Sequence, residues 1–260
     1  MICITRCIPF IRQVTNMTYE ENVKPPQRPK WSLTDVIIVL IILLALIPLA
    51  RIFKGYLAKV ITVLMVTGNS PETLALFLGS FLQSLTMALA IVIIARIRGA
   101  SGRDLGLVWD SPVYNIVLGL LGGVALGVSV WFIGALISTF FGPPPPQDIE
   151  KLLTGLKSGK DLFLPFISVS VFAPLSEELY FRGMVYPVIR ARLGPLAGMV
   201  LSGLFFGALH LDVYRLVPIG FMGFALAYFY ERTGSLVTCI VAHSAWNTLM
   251  IILLFLVVNR

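Results

Sequence analysis

Long apolar runs, separated by short polar stretches, make up most of the chain. Seven such segments follow a polar N-terminal tail: about residues 35–51, 72–95, 112–141, 161–190, 195–211, 214–230 and 236–258. About 20 apolar residues in an α-helix are enough to cross the hydrocarbon core of a bilayer. The runs lack the alternation of apolar and polar positions that is typical of barrel strands. The pattern therefore predicts an all-α fold, a polytopic transmembrane bundle of seven to eight membrane helices.

The composition and charge agree with a membrane location. Of the 260 residues, 57% are hydrophobic and 13% are charged, whereas soluble domains average about 25% charged residues. The net charge of +7 is explained by basic loops that fix orientation in the bilayer, so no nucleic-acid partner is expected. More Lys and Arg lie on the side of the N-terminal tail than on the opposite side. We therefore expect a multi-pass protein of the cell membrane with a cytoplasmic N-terminus.

The pattern also predicts how the chain is organised. Residues 1–33 are expected to form a flexible tail, and residues 34–260 a single transmembrane domain. Met17 is an alternative start, which raises the hypothesis that residues 1–16 are not part of the native product. The three cysteines offer no disulfide framework. Cys239 lies in an apolar helix, where it is expected to be a buried small residue.

Two further patterns concern helix packing. Glycines recur every four residues in the third segment, at Gly119, Gly123 and Gly127. They share one helix face and predict the close approach of another helix. Later, apolar residues from Ile149 to Leu156 recur at helical spacing after four prolines. This second pattern predicts an amphipathic helix on the membrane surface, either passive or gating a site.

A set of polar residues interrupts three of the last four apolar segments. An ionisable group in hydrocarbon is costly unless it is paired or hydrated, so it indicates a functional site. The set includes both histidines of the chain. Its members, with one aromatic neighbour, are Glu177, Glu178, Arg182, Phe206, His210, His243 and Asn247.

Position along each helix predicts that these residues meet. At about 1.5 Å per residue, Glu177 and His210 each lie about 22 Å from the turn near residue 194. Asn247 and His243 lie about 18 Å and about 12 Å from the turn near residue 234. These depths overlap within a ~30 Å core. We therefore expect three helices to bring their polar residues into one site.

Spacing within each helix suggests separate roles. Glu178 and Arg182 are four residues apart, so they can form an ion pair that supports the site. Glu177 is rotated by about 100° from Glu178 and faces elsewhere. His243 and Asn247 are also four residues apart and can point at one spot.

The chemistry of the set matches amide hydrolysis. A carboxylate and an imidazole, Glu177 and His210, can activate water. A second imidazole and a carboxamide, His243 and Asn247, can donate hydrogen bonds to the carbonyl oxygen. Phe206 lies four residues before His210 and is expected to shape one wall of the site.

Other interpretations of the same residues remain open. Glu177, His210 and His243 could instead ligate a metal, and two His with one Glu form a common catalytic zinc set. The Glu and His residues could also form the proton relay of a coupled transporter. A third alternative is a membrane scaffold without proteolytic activity. A rhomboid-like GxSG motif is absent, because Val200 precedes Leu201-Ser202-Gly203.

At these residues the sequence resembles the CAAX prenyl protease and bacteriocin-processing family, also called the ABI family. The family pattern is EExxxR, then FxxxH, then HxxxN or HxxxD in later helices. The chain has all three motifs in that order, within about residues 160–255.

The resemblance implies an all-helical intramembrane endopeptidase whose site lies within the bilayer. It implies that the first Glu and first His, here Glu177 and His210, activate water, and that His243 and Asn247 stabilise the oxyanion. The implied partner is a membrane-associated peptide or protein, which in one branch of the family has a prenylated CAAX terminus. Metal dependence and the substrate do not follow from the resemblance.

Overall fold

The protein is an all-α bundle in the part of the chain that the structure, a computed structural model, describes. The described residues are 28–45, 71–154, 156 and 161–258, and they contain no strand. The predicted fold class is therefore confirmed. Most of the predicted tail, including Met17, and positions 46–51 of the first predicted segment lie outside the described residues.

We number the helices in chain order and mark two π-helical turns separately. They are α1 (Leu33–Ala45), α2 (Pro71–Ile97), α3 (Pro112–Phe141), α4 (Asp148–Thr154), α5 (Phe163–Ile167), π1 (Ser168–Phe172), α6 (Ala173–Tyr180), π2 (Phe181–Val185), α7 (Tyr186–Leu193), α8 (Pro195–Ala208), α9 (Val213–Thr233) and α10 (Leu236–Val258).

The outside of the bundle is apolar, as a lipid-facing surface requires. Among the described residues, four helices are long and apolar enough to cross a membrane: α2, α3, α9 and α10. Helices α1 and α8 are apolar but shorter. Large side chains such as Phe132 and Leu121 are exposed on α3. A water-facing surface would bury such groups, whereas the hydrocarbon core of a bilayer accommodates them.

The fourth predicted segment is a helical path with two π turns rather than one regular helix. The Ala173 amide donates to Ser168 O, and the Tyr186 amide donates to Phe181 O, each five residues back. Pro174 and Pro187 each lie two residues after a π turn. Because proline has no N–H, it cannot continue the α-helical hydrogen bonds there. The widened turns follow from this, and they flank α6, which carries both glutamates.

The predicted glycine face packs against α10. A Cβ at Gly123 would lie 2.5 Å from Ala242 O, and one at Gly127 would lie 2.6 Å from the Trp246 ring. A Cβ at Gly119 would meet Val241 at 2.8 Å. The packing role predicted for these glycines is confirmed, and the contact fixes the helix that carries His243 and Asn247.

Glycines also bring α8 and α9 together. A Cβ added at Gly203 would lie 2.7 Å from Gly220 O in α9, and one at Gly207 would lie 2.9 Å from Gly220 N, so both would clash with that backbone. This backbone contact holds the end of α8, and with it His210, against the bundle.

The amphipathic segment packs on protein as well as lying at the edge of the bundle. Leu153 and Leu156 are buried against Ile251 of α10. Part of the apolar stripe therefore packs on α10, and the position of this helix at the membrane surface stays a prediction. Cys239 is buried, as expected.

One end of the bundle is closed by polar contacts to the loop after α2. Arg98 forms a two-pronged ion pair with Asp35 at the start of α1. The Trp31 indole donates to Met184 O. The loop then reaches α10, because the Leu236 amide donates to Gly106 O.

Candidate active site

Four of the polar residues predicted to meet line one cavity of about 580 Å³. Its walls come mainly from α2, α3, α6, α9 and α10, and they are mostly apolar. Glu177, His210, His243 and Asn247 all face it. Three separate parts of the chain thus contribute to one site, as their depths predicted.

Glu178 and Arg182 form the ion pair that their spacing predicts. Arg182 Nη1 lies 2.7 Å from Glu178 Oε1, and Nη2 donates to Gly223 O at 2.9 Å. Both side chains are fully buried. Since an unpaired buried charge is strongly destabilising, each of these side chains depends on the other.

Glu178 also contacts His243, which the sequence did not indicate. His243 Nδ1 lies 2.7 Å from Glu178 Oε1. Because that oxygen also accepts from Arg182, Nδ1 carries the proton in this hydrogen bond. His243 Nε2 then points to the other side of the ring, where it accepts in the neutral form and donates in the imidazolium form.

Glu177 has the opposite environment to its neighbour. Its side chain is 30% exposed, and its Oε2 lies 3.9 Å from His243 Nε2. Successive residues of an α-helix point about 100° apart. The Glu177 carboxylate therefore opens into the cavity, whereas that of Glu178 is buried beneath it.

His210 lies in the turn after α8, not within the helix. The predicted segment ended at Leu211, whereas α8 ends at Ala208. Leu211 has a φ of 52°, and Asp212 then caps α9 by accepting from the Arg215 amide. His210 Nδ1 lies 2.9 Å from Phe206 O, and a carbonyl can only accept. In the neutral ring, Nε2 is therefore free to take a proton.

Phe206 is the aromatic centre of the site. Its fully buried ring contacts the rings of His210 and His243 edge-on, at centroid distances of 4.9 Å and 5.8 Å. The Arg182 guanidinium lies 4.9 Å from the same centroid. One buried side chain thus contacts both histidines and the Arg182 guanidinium. It does not line the 580 Å³ cavity, so its role as a wall stays a prediction.

Asn247 is oriented by the first π turn. Its Nδ2 donates to Val169 O at 2.8 Å. A carboxamide nitrogen carries two hydrogens, so one donor remains for the cavity. The sequence did not indicate this contact, but Pro174 could have, because it leaves carbonyls of the preceding turn without their helical donors.

The arrangement of these residues does not fit a metal site. In the part of the chain that the structure describes, no group of three His, Cys, Asp or Glu could hold a metal ion. No step of the mechanism below therefore involves zinc.

Comparison with known proteins agrees with the motifs. Residues 159–249 match the family model described as "Type II CAAX prenyl endopeptidase Rce1-like". The resemblance is confirmed over this segment. The matched segment contains every candidate site residue.

Two curated proteins are similar to the chain. The first, "Putative membrane peptidase YdiL" of Bacillus subtilis (strain 168), is 30% identical over 90 residues, which are 35% of this chain and 37% of that protein. The chain thus spans little more than a third of its length. The second, "Uncharacterized 24.3 kDa protein" of Escherichia coli, is 26% identical over 154 residues, 54% of this chain and 69% of that protein. No solved structure matches the chain significantly.

Proposed function

We propose that the protein is an intramembrane endopeptidase that hydrolyses a peptide bond near a membrane-associated C-terminus. The observation that carries the proposal is the convergence of Glu177, His210, His243 and Asn247 on one cavity within an apolar bundle. Stray polar residues in membrane helices would have no reason to share a cavity. The Rce1-like match over the same segment supports the same reaction.

The proposed mechanism uses the free atoms of these side chains. A water molecule between Glu177 and His210 attacks the carbonyl carbon of the peptide bond while one of the two groups takes its proton. The developing oxyanion accepts hydrogen bonds from Asn247 Nδ2 and from His243 Nε2 in its imidazolium form. The C–N bond then breaks, and the proton passes to the leaving amine nitrogen.

The walls of the cavity support a membrane-associated substrate. Beyond the polar residues, the lining includes apolar side chains such as Trp131, Met222 and Met250. An apolar chain beside the peptide bond would be buried there. A prenylated CAAX-type terminus is one substrate of this kind.

Cleavage assays with matched variants test the proposal. Purified protein would be incubated with membrane peptides of one sequence, with and without a prenyl group. We expect cleavage by the wild type and by Ser129→Ala, a control on α3 outside the cavity. Glu177→Gln and His210→Ala should each lower kcat by about 10²-fold or more, since each removes general-base chemistry.

The outcomes separate the alternatives. Cleavage that persists in both variants would contradict the assignment of the water-activating pair. Absence of cleavage by folded wild type would favour a proton relay or a scaffold. A preference for the prenylated peptide would assign the substrate class.

A further inference from the structure

A polar stripe runs along α2 on the side that faces α6. Ser80, Gln83 and Ser84 are at positions i, i+3 and i+4 of a helix that is otherwise apolar there. Polar side chains at helical spacing within a membrane span indicate a contact with water or with another polar surface. The residues of the stripe lie away from the motifs of the sequence analysis.

This stripe lines a second cavity of about 300 Å³. All three residues of the stripe face it, together with Ser176 of α6. At about 30 Å³ per molecule in the liquid, the volume is enough for several water molecules.

The two cavities meet at the water-activating pair. Glu177 and His210 line both of them. His243 and Asn247 line the larger cavity but not the smaller one. Glu177 and His210 therefore have one side toward the oxyanion donors His243 and Asn247 and another side toward the polar stripe.

Hydrogen bonds hold the polar wall in place. The Ser84 hydroxyl donates to Phe172 O at 2.9 Å, at the end of π1, and lies 3.1 Å from Ser176 Oγ. Ser176 in turn donates to Phe172 O. The wall next to Glu177 is thus built from fixed hydroxyl groups, whose lone pairs can accept from water.

When substrate is bound, the nucleophilic water needs a second route to Glu177 and His210. A peptide carbonyl that accepts from His243 and Asn247 must lie in the larger cavity. The apolar part of the same substrate fills the rest of that cavity, so it excludes water from that side. The nucleophile must then reach Glu177 and His210 from the opposite side.

We propose that the smaller cavity is a water site that delivers the nucleophile to Glu177 and His210 while peptide occupies the larger cavity. This assignment rests on the proposed function. It gives Gln83 and Ser84, which line only the smaller cavity, the role of positioning residues that keep that cavity hydrated. Ser80 lines both cavities and extends the polar wall to the point where they meet.

The kinetic test uses a variant in which the α2 wall of the smaller cavity is apolar, with side chains that add little volume. The variant is Gln83→Leu combined with Ser84→Val, and the control is Thr86→Val, on the same helix but outside both cavities. We expect kcat to fall about tenfold or more with KM within about twofold, because water delivery and not peptide binding is impaired. The control should match the wild type.

Two kinetic results would overturn the assignment. An unchanged kcat would show that hydration of this cavity does not limit the reaction. A raised KM with normal kcat would assign the cavity to peptide. If the double variant does not fold, Gln83→Leu alone serves, because Gln83 is exposed and its replacement leaves the core unchanged.

A labelling test detects the water without any cleavage. The test uses protein in lipid nanodiscs that carries Cys3→Ser and Cys7→Ser together with Ser84→Cys. It would be treated with the thiol reagent 2-aminoethyl methanethiosulfonate while an uncleaved peptide fills the larger cavity. We expect it to react about tenfold faster than Leu82→Cys on the exposed face of α2, since the thiolate forms only where water reaches it. Equal, slow reaction at both positions would contradict the water site.

The two tests distinguish a failure of the proposed function from a failure of the water-site proposal. If folded wild type cleaves no peptide, the proposed function fails, whereas the labelling result still reports whether water reaches the smaller cavity. If Glu177→Gln is inactive but both cavity tests are negative, only the water site is wrong.

Discussion

At the scale of single residues, the two adjacent glutamates have opposite surroundings. Glu178 is fully buried between Arg182 and His243, and Glu177 is 30% exposed in the cavity. A buried carboxylate that pairs a guanidinium is part of the fold, whereas a partly hydrated one is available for chemistry. The difference arises from the rotation of one residue along α6.

Removal of each carboxylate should therefore affect stability differently. Glu178→Ala leaves the Arg182 guanidinium buried without its carboxylate, and we expect the free energy of unfolding to fall by about 3–5 kcal/mol. Glu177→Ala should change it by less than about 1 kcal/mol. Thermal unfolding in detergent measures both, and a larger loss for Glu177→Ala would reverse the structural assignment.

The sequence predicted the contacts within a helix better than those between helices. The pairing of Glu178 with Arg182 follows from a spacing of four residues along one helix. The contact of His243 with Glu178 and that of Asn247 with Val169 depend on how helices rotate against each other. Hydrophobic patterning does not determine that rotation when a helix is apolar all round.

At the scale of elements, the contact between α3 and α10 depends on small residues. Gly119, Gly123 and Gly127 allow the two backbones to approach, and Trp246 packs over the last of them. In lipid, such close packing replaces the hydrophobic effect as the main attraction between helices. The position of His243 and Asn247 thus depends on the absence of side chains on α3.

Adding one methyl group should disturb this contact. In Gly123→Ala the new Cβ would lie 2.5 Å from Ala242 O, and we expect a loss of about 1–3 kcal/mol from overpacking. Gly79→Ala on α2 is the matched control, because nothing lies within 4 Å of its Cβ. The control should gain about 0.5–1 kcal/mol from a better helix former. Equal thermal stabilities of the two variants would contradict close packing at Gly123.

The bounds of a helix were predicted well where the helix coincides with one long apolar run. The bounds of α3 and α10 match the predicted segments. The region 161–190 was predicted as one helix, and its π turns were missed, since hydrophobicity does not report the hydrogen-bond register. The end of α8 was also misplaced, because the left-handed Leu211 has no sequence pattern that marks it.

At the scale of the whole molecule, an apolar exterior surrounds a largely apolar core that contains the polar cavity residues, and one end is closed by charged residues. There, Lys30 Nζ lies 3.1 Å from Asp104 Oδ2, and the Ser101 amide donates to the same carboxylate at 2.7 Å. The Ser101 amide, with help from its hydroxyl and from Lys30, holds the pKa of Asp104 below its usual value despite partial desolvation.

This lowered pKa predicts a stabilising contribution that acid removes. The contribution is complete above the ordinary Asp pKa of about 3.9 and is lost as the pH falls through the lower folded value. Asp104→Asn lacks it, so the wild type should be more stable at about pH 6, and the difference should shrink toward about pH 3. Unfolding midpoints at several pH values measure this, and a constant difference would contradict it.

The first π turn also constrains the length of the chain. A π turn holds one residue more than an α-helical turn. Deleting one residue from Ser168–Phe172 would restore a regular helix, but it would rotate the preceding segment by about 100° against α6. Val169 O would leave Asn247, and Phe172 O would leave Ser84. A shortened chain would thus gain helical regularity and lose the arrangement of the cavity residues, so this segment depends on the number of its residues as well as on their identity.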